Sequence, residues 1–289
     1  MAVFKRAWRL QLQIGDKIKT YQELNYNDTS LKIEFDVTNG IYGAFASGNI
    51  TIYNLNLEDM QYLASCTNPY GRFKRNKISL EAGYVNSLGV ILSGNIIEAD
   101  ADFTSPDNRI TFKITGSIGN NLTNNSIQTS LNGAVDFKTI CNECAKKNGL
   151  KLKYDNKLKK RFLQDFSFLG TPFQMIEQLR SYFDDLNIFI DETGSLLNVL
   201  LKEDGEEINK QVLSKDTGLI GKPKPTMLGV NVITFLNINL KAGGLIKLKN
   251  EKLKQFDGVY RIQELKHRGS NMSDDWISEL TMQRVKNGR

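Results

Sequence analysis

Leu31, Ile33, Phe35 and Val37 alternate with Lys32, Glu34 and Asp36. A period of two puts the apolar set on one face of a β-strand and the charged set on the other. The same period recurs at Ile50 and Ile52 up to Leu55, at Ile78 and Leu80, and at Ile110, Phe112 and Ile114. Trp8 to Ile14 also reads as a strand, and Val90 to Phe103 as one long strand or a bent pair broken at Ser93-Gly94. Thr38-Asn39-Gly40, Pro69-Tyr70-Gly71 and Ser105-Pro106-Asp107-Asn108 carry turn chemistry. Between Leu57 and Ser65 the period lengthens, and Met60, Leu63 and Ala64 fall on one side of a short helix. Many short strands divided by turns predict a barrel or a sandwich.

Gly116 to Asn132 is rich in Gly, Asn, Ser and Thr and reads as a linker. Helical spacing then takes over at Val135, Phe137, Ile140, Cys141, Cys144 and Ala145, and stops at Asn148-Gly149. Leu150 and Leu152 look extended, as do Phe166, Phe168 and Leu169. Thr171-Pro172 opens a second helix, because Thr caps and Pro is tolerated at the first helical position. Its buried stripe is Phe173, Ile176, Leu179, Phe183 and Leu186. Ile188 to Asp191 and Ser195 to Leu200 form a hairpin around Glu192-Thr193-Gly194. From Pro223 the chain returns to strands, at Val230 to Leu236, Gly244 to Leu248, Val259 to Lys266 and Trp276 to Val285, with a tight turn at Asp257-Gly258.

The two strand-rich regions resemble each other in order. Gly48 to Leu55 parallels Gly229 to Leu236, Glu81-Ala82-Gly83 parallels Lys241-Ala242-Gly243, and Gly94 to Glu98 parallels Gly258 to Ile262. Each region closes on an alternating strand, Arg109 to Thr115 and Trp276 to Met282. The expected fold is therefore mainly β with an α+β module: two related small β-barrels flanking a small α+β domain. The first barrel spans 1–117 with a helical insertion at about 57–76, a linker covers 118–132, the α+β domain 133–215 and the second barrel 216–289.

The 289 residues are enough to bury a core without staples, and three cysteines are too few for a disulfide scaffold, which favours a reducing compartment. No run of the chain is long and apolar enough for a spanning helix or a signal peptide, so no membrane anchoring is expected. The net charge of +6 permits an acidic partner or nucleic acid. Lys146, Lys147, Lys151, Lys153, Lys157, Lys159, Lys160 and Arg161 form one basic group, and Lys241, Lys247, Lys249, Lys252 and Lys254 a second. Such runs read first as solvated faces. Only Tyr154 and Phe162 could serve the first group as stacking platforms for single strands.

Candidate chemistry is sparse. Cys141-Asn142-Glu143-Cys144 has redox spacing, but both sulfurs lie on an apolar helix stripe rather than at a helix start, and read as core. Cys66 and His267 are the only other soft zinc ligands. His267, the single histidine, could be written into a triad with Asp274, as any chain allows. Gly43 to Gly48 has the glycine spacing of a phosphate loop without the following Lys-Ser or Lys-Thr. Glu98, Asp100 and Asp102 stand on one face of a strand. They read as a solvated or channel-facing side; the pair Glu98 and Asp100 is the least unsuitable acid/base couple for a hydrolase. No catalytic, cofactor or metal site is expected.

Three stretches taken together resemble the baseplate hub proteins of contractile-tailed bacteriophages, and the hub portion of type VI secretion spikes. The first comprises Asn49-Ile-Thr-Ile-Tyr-Asn-Leu, Leu80-Glu-Ala-Gly-Tyr and Gly94-Asn-Ile-Ile-Glu-Ala. The second is Asp165 to Leu179, with Phe168-Leu-Gly-Thr-Pro at a strand-to-helix junction. The third is Asp257-Gly-Val-Tyr-Arg-Ile-Gln-Glu-Leu-Lys-His-Arg-Gly followed by Trp276. Ile238 replaces a common Pro, and Arg268 separates His267 from Gly269. The resemblance implies a structural homotrimer in the virion tail baseplate, assembled in the host cytoplasm. In it, two similar barrels per chain give six near-equivalent units between a hexameric tail tube and a three-fold, cell-puncturing spike. It implies further contacts with tape-measure and baseplate wedge proteins, and a central channel through which the genome DNA is ejected without specific binding. Glu98, Asp100 and Asp102 would give that channel a DNA-repelling lining, while Tyr260 and His267 would be packing residues. The competing classes are an oligonucleotide-binding barrel protein and a tail-tip cell-wall hydrolase.

Overall fold

The computed structural model of the chain describes residues 5–24, 31–41, 46–65, 76–104, 106–116, 126–191, 196–202, 211–227 and 229–285. Gly43 to Phe45, Cys66, Pro69-Tyr70-Gly71, Ser105 and Glu192-Thr193-Gly194, all read above, lie outside them. The chain is mainly β with an α+β module. The first region carries β1 (Arg6–Ile14), β2 (Lys17–Glu23), β3 (Ile33–Gly40), β4 (Ser47–Tyr53), α1 (Leu57–Ala64), β5 (Lys77–Tyr84), β6 (Ser87–Asp102) and β7 (Arg109–Gly116). The middle carries β8 (Ile127–Asp136), α2 (Phe137–Lys147), β9 (Lys151–Tyr154), β10 (Phe162–Gly170), α3 (Pro172–Tyr182), β11 (Leu186–Ile190) and β12 (Leu196–Leu201). The last region carries β13 (Gln211–Leu213), β14 (Leu219–Thr226), β15 (Gly229–Phe235), β16 (Leu245–Leu248), β17 (Gly258–Ser270) and β18 (Trp276–Arg284).

Several local expectations change. Residues 127–132 are not linker but the start of β8, which pairs antiparallel with β10. Thr38-Asn39-Gly40 is not a turn but the end of β3. Of the two readings of Val90 to Phe103 the single long strand holds: β6 runs through Ser93-Gly94, and near Gly94 its partner changes from β5 to β7. Asp257-Gly258 is not a hairpin turn; Asp257 follows a 3-10 turn and accepts a hydrogen bond from the Asn250 N–H at 2.7 Å. Strands β2, β13 and β14 add to the sequence reading; β2 and β14 are largely exposed, so they lack a clear apolar stripe.

One sheet joins the two ends of the chain, in the order β14-β15-β18-β17-β3-β4-β7-β6-β5-β1-β2, with β16 on β17 and β13 on β16. Within it the same path occurs twice, as β3-β4-β7-β6-β5 and as β14-β15-β18-β17-β16, with every pairing antiparallel. The two copies share an irregularity. The β6–β7 register slips between Ile96 and Glu98, and the β17–β18 register slips between Ile262 and Glu264. A bulge of this kind re-aims the strand. Taking it as the anchor, Ile114 corresponds to Met282, and Ile50 and Ile52 correspond to Val232 and Thr234, all buried. The sequence parallel between Gly48 and Gly229 is therefore one residue off, and the Gly94–Gly258 parallel two residues off. The Gly83–Gly243 parallel fails: Gly83 ends β5, whereas Gly243 precedes β16.

Each copy has its own core. The first is built on Trp8, Leu10, Ile33, Ile50, Ile52, Leu80, Phe112 and, from α1, Met60 and Leu63. The other is built on Val232, Ile246, Leu248, Tyr260, Ile262, Leu265 and Met282. The seam between them is the β17–β3 ladder, from Glu264↔Gly40 to Ser270↔Glu34. Trp276, at the start of β18, crosses it into the first core. Its ring meets Phe35 edge-on at 5.1 Å and its indole N–H donates to the Gly83 carbonyl at 3.0 Å. Gly269 is what lets Phe35 and Trp276 close over the ladder: a Cβ there would stand 2.4 Å from Phe35 Cζ and 2.7 Å from Trp276 Cε3. His267 is buried in the same ladder, its Nδ1 2.9 Å from Ser278 Oγ, and desolvation lowers its pKa to about 4.

The middle module packs α2 and α3 against the β8–β10 ribbon and the β11-β12-β9 sheet, around Phe137, Ile140, Phe166, Met175, Ile176, Leu179 and Leu197. Thr171 caps α3 as its sequence predicts: its hydroxyl accepts from the Gln174 N–H, and Gln174 Oε1 accepts from the Thr171 N–H, a reciprocal capping box. The module is fastened to the sheet by Phe189 and Leu200 against Ile41, and by Arg180, which donates to the Ile41 carbonyl at 2.7 Å. Gly243, at φ +83°, makes room for the Phe189 ring.

Trp276→Ala should cost about 3–5 kcal/mol in urea unfolding, since it empties a buried aromatic site and leaves the Gly83 carbonyl unpaired. The histidine gives a pH test. Its folded pKa lies below the unfolded value, so the unfolded chain takes up the proton first as pH falls from about 6.5 to about 4, and stability drops by about 3 kcal/mol across that window. His267→Gln should flatten that part of the stability-versus-pH curve; an unchanged slope would refute the assignment.

Candidate functional site

Among the described residues, nothing resembles a reaction centre, and the groups that read as chemistry in the sequence are accounted for by packing. Cys141 and Cys144 are buried on the inward stripe of α2, next to Phe137, Ile140 and Ala145. Burial pushes both thiols up, Cys144 to about 12, so neither is a thiolate at neutral pH. His267 bonds Ser278 rather than Asp274, and Tyr260 is buried with its hydroxyl donating to the Phe256 carbonyl at 2.8 Å. No cluster of three or more metal-ligating side chains occurs among the described residues, and none of their helices is long and apolar enough to cross a membrane. The first basic group is spread over the end of α2, β9 and the loop after it; Arg161 pairs with Asp185 at 2.6 Å, and Lys138 lies over the Tyr154 ring. The lysines of the second group are exposed.

The feature with functional form is the outer face of the long sheet. From β14 to β6, eight strands run in unbroken antiparallel order. Alternation sends Ile50, Ile52, Ile110, Phe112, Leu265 and Leu280 into the cores. It turns Glu34, Asp36, Asn49, Thr51, Thr111, Lys113, Lys266 and Glu279 to the other side, which is polar over β3, β4 and β7 but carries Ile233 and Phe235 on β15 and Ile277 on β18. Ion pairs stitch adjacent strands on that side: Lys266 to Asp36 at 2.8 Å, Arg268 to Glu279 at 3.4 Å, Lys113 to Glu98 at 2.6 Å and Arg109 to Asp102 at 3.1 Å. Lys32 pairs with Glu34 at 2.8 Å and sits over the Tyr53 ring.

Glu98, Asp100 and Asp102 are thus on one strand face, as their spacing predicts, but they do not form a simple negative strip. Glu98 and Asp102 are each answered by a cation on β7. The Thr104 hydroxyl and N–H, with Arg109 behind them, hold the Asp102 carboxyl below the usual range. Asp100 alone of the three has no ion pair among the described residues. Glu98 stands on an exposed strand face with the Lys113 ammonium at its oxygen. The basic half of this face, Arg109, Lys113, Lys266 and Arg268, is missing from the sequence reading. Its signal was present in the alternation of β7 and β17, where each cation stands next to a buried residue.

In fold, the chain is similar to the 43 kDa tail protein of prophage MuSo2 from Shewanella oneidensis, at a TM-score of 0.62 and 12% identity, covering 96% of this chain and 97% of that one. It is similar to a tail protein from Neisseria meningitidis, at a TM-score of 0.60 and 10% identity, covering 96% of each chain. A third similar fold is an E. coli component of the type VI secretion system, at a TM-score of 0.58 and 9% identity, covering 91% of this chain and 76% of that one. None of the curated proteins matches the chain. The family model described as baseplate hub gp41 matches residues 9–281, nearly the whole length, and the chain belongs to that baseplate hub family.

Proposed function

We propose that this baseplate hub protein works as a homotrimeric adaptor in the virion tail, with a hexameric tail tube on one side and a three-fold, cell-puncturing spike on the other. The observation that carries this reading is the doubled strand path with its matched bulges. Two equivalent units per chain let a three-fold ring offer six similar patches, and an interface closes only when both partners repeat the same patch equally often. In this reading residues 1–117 and 216–289 are the two tube-type barrels, and 133–215, extended back to Ile127, is a module fastened to their seam. The outer face of the sheet, polar over β3, β4 and β7, lines the channel for the genome DNA, with Glu98, Asp100 and Asp102 of β6 among its lining residues. Cations and carboxylates bonded to each other leave little net charge to grip phosphate, so DNA passes without specific binding. The protein acts by assembly rather than catalysis, is assembled in the host cytoplasm, and meets tape-measure and wedge proteins around the hub.

Multi-angle light scattering of the purified chain, alone and mixed with its spike, tests the core of this reading. A trimer is expected in at least one of the two samples; monomers or dimers in both would overturn it. Double-stranded DNA added to the trimer at about 50 mM salt should bind weakly and without a steep salt slope. A slope of several units would instead favour the nucleic-acid-binding alternative.

A further inference from the structure

The adaptor reading makes no use of the basic group on the middle module. Residues 136–161 hold eight lysines and Arg161 against Asp136, Glu143 and Asp155, a balance of +6 that equals the net charge of the whole chain. The rest of the chain is therefore neutral in sum, and the excess is confined to α2, β9 and the loop that follows. Arg161 is taken up by Asp185, and Lys147 by the Gln128 carbonyl and the Thr129 hydroxyl. Lys138, Lys146, Lys151, Lys159 and Lys160 are exposed and have no carboxylate partner among the described residues.

This charge flanks an open strand edge. Among the described residues β9 pairs only with β12, in parallel, with Leu152 opposite Leu197 and Tyr154 opposite Val199. The Asp155 N–H donates to the Val199 carbonyl at 3.0 Å. Backbone polar groups alternate from one edge of a strand to the other, so those of Leu152 and Tyr154 point away from β12. Between α2 and β9 lies a hollow of about 420 Å³, lined by Lys138, Thr139, Asn142, Leu152 and Tyr154. The Lys138 ammonium stands over the Tyr154 ring, 5.6 Å from its centre. The side chains of Thr139 and Asn142 have no hydrogen-bond partner among the described residues.

We propose that this edge is a docking site for an acidic, extended segment of a protein other than the hub. The segment adds to β9 as a further strand and sets a carboxylate in the hollow against Lys138, with Thr139 and Asn142 as further donors. The proposal goes beyond the adaptor reading and does not rest on it, because the site lies within one module of one chain. Charge and backbone together choose the occupant. A second copy of β9 would bring Lys151 and Lys153 against lysines, and like charges across strands are unfavourable. A phosphate backbone offers acceptors alone, which leaves the outward carbonyls of Leu152 and Tyr154 unanswered, and Lys138 covers the one ring in the hollow on which a base could stack. An extended acidic peptide answers both sets of groups: its amides and carbonyls continue the ladder and its carboxylates meet the lysines. β9 has only four residues, so the ladder is short and the ionic part of the attraction weakens as salt rises.

Fluorescence anisotropy of the full chain with a labelled octapeptide alternating Glu and Val tests the site. The peptide should bind, and Lys138→Glu and Lys151→Glu should each weaken it by about tenfold, while Lys138→Arg retains it. Glu suits the first turn of a helix, so Lys138→Glu leaves α2 intact. Two further peptides separate strand addition from charge alone. N-methylation of the Glu amides blocks one peptide edge and N-methylation of the Val amides the other, so one of the two should bind about tenfold more weakly than its counterpart. Equal binding of both overturns the strand docking. No binding of the parent peptide, lysine variants that bind it normally, or an oligothymidylate of equal charge that binds as tightly also overturns the proposal. A chain that trimerises but ignores the peptide refutes this inference and leaves the adaptor reading standing.

Discussion

The β17–β3 ladder is the contact on which the rest of the molecule depends. It is formed by segments more than two hundred residues apart in the chain, so closing it has an entropic cost that local hairpins do not. What repays that cost is concentrated in a few side chains: Trp276 and Phe35 over Gly269, and Leu236 joining the first core. Because the ladder is backbone pairing, it also fixes the relative register of the two strand copies. The polar faces on either side then become one surface, and the ion pair from Lys266 to Asp36 spans the place where two halves meet.

The middle module enters this arrangement from the side. Its core is separate from the other two, and its attachment is small and specific: Phe189 and Leu200 on Ile41, with Arg180 reaching the same backbone. All of these touch the end of β3 or its neighbours, so the module is anchored at the seam and not on the far edges of the sheet. Among the described residues, no further strand pairs with the edges at β14 and β2.

Much of the fold was legible in the sequence wherever one face of an element is buried. The alternation of Leu31 to Val37 and of Arg109 to Thr115, and the Thr171-Pro172 helix start, all correspond to observed elements. Where burial gives no contrast the reading was incomplete. β2 and β14 carry lysines, threonines and prolines on exposed positions and look like loops. The repeat was visible as an order of elements, but its alignment was off by one or two residues, because glycines match by eye at turns and register is set by the bulge. The acidic face at Glu98 to Asp102 was legible; the cations that answer it belong to other strands, and pairing between strands distant in sequence is not written in either one.

The two bulges have a consequence for how such a chain can change over generations. Side chains beyond Ile97 and beyond Gln263 point as they do only because a single extra residue has been inserted into each strand. Loss of that residue in one copy would turn Ala99 and Ala101 outward and the acidic set into the core. Insertions and deletions past these points are therefore tolerable only in pairs, and a gene carrying this fold would lengthen or shorten its walls in even steps while its loops drift in length at will.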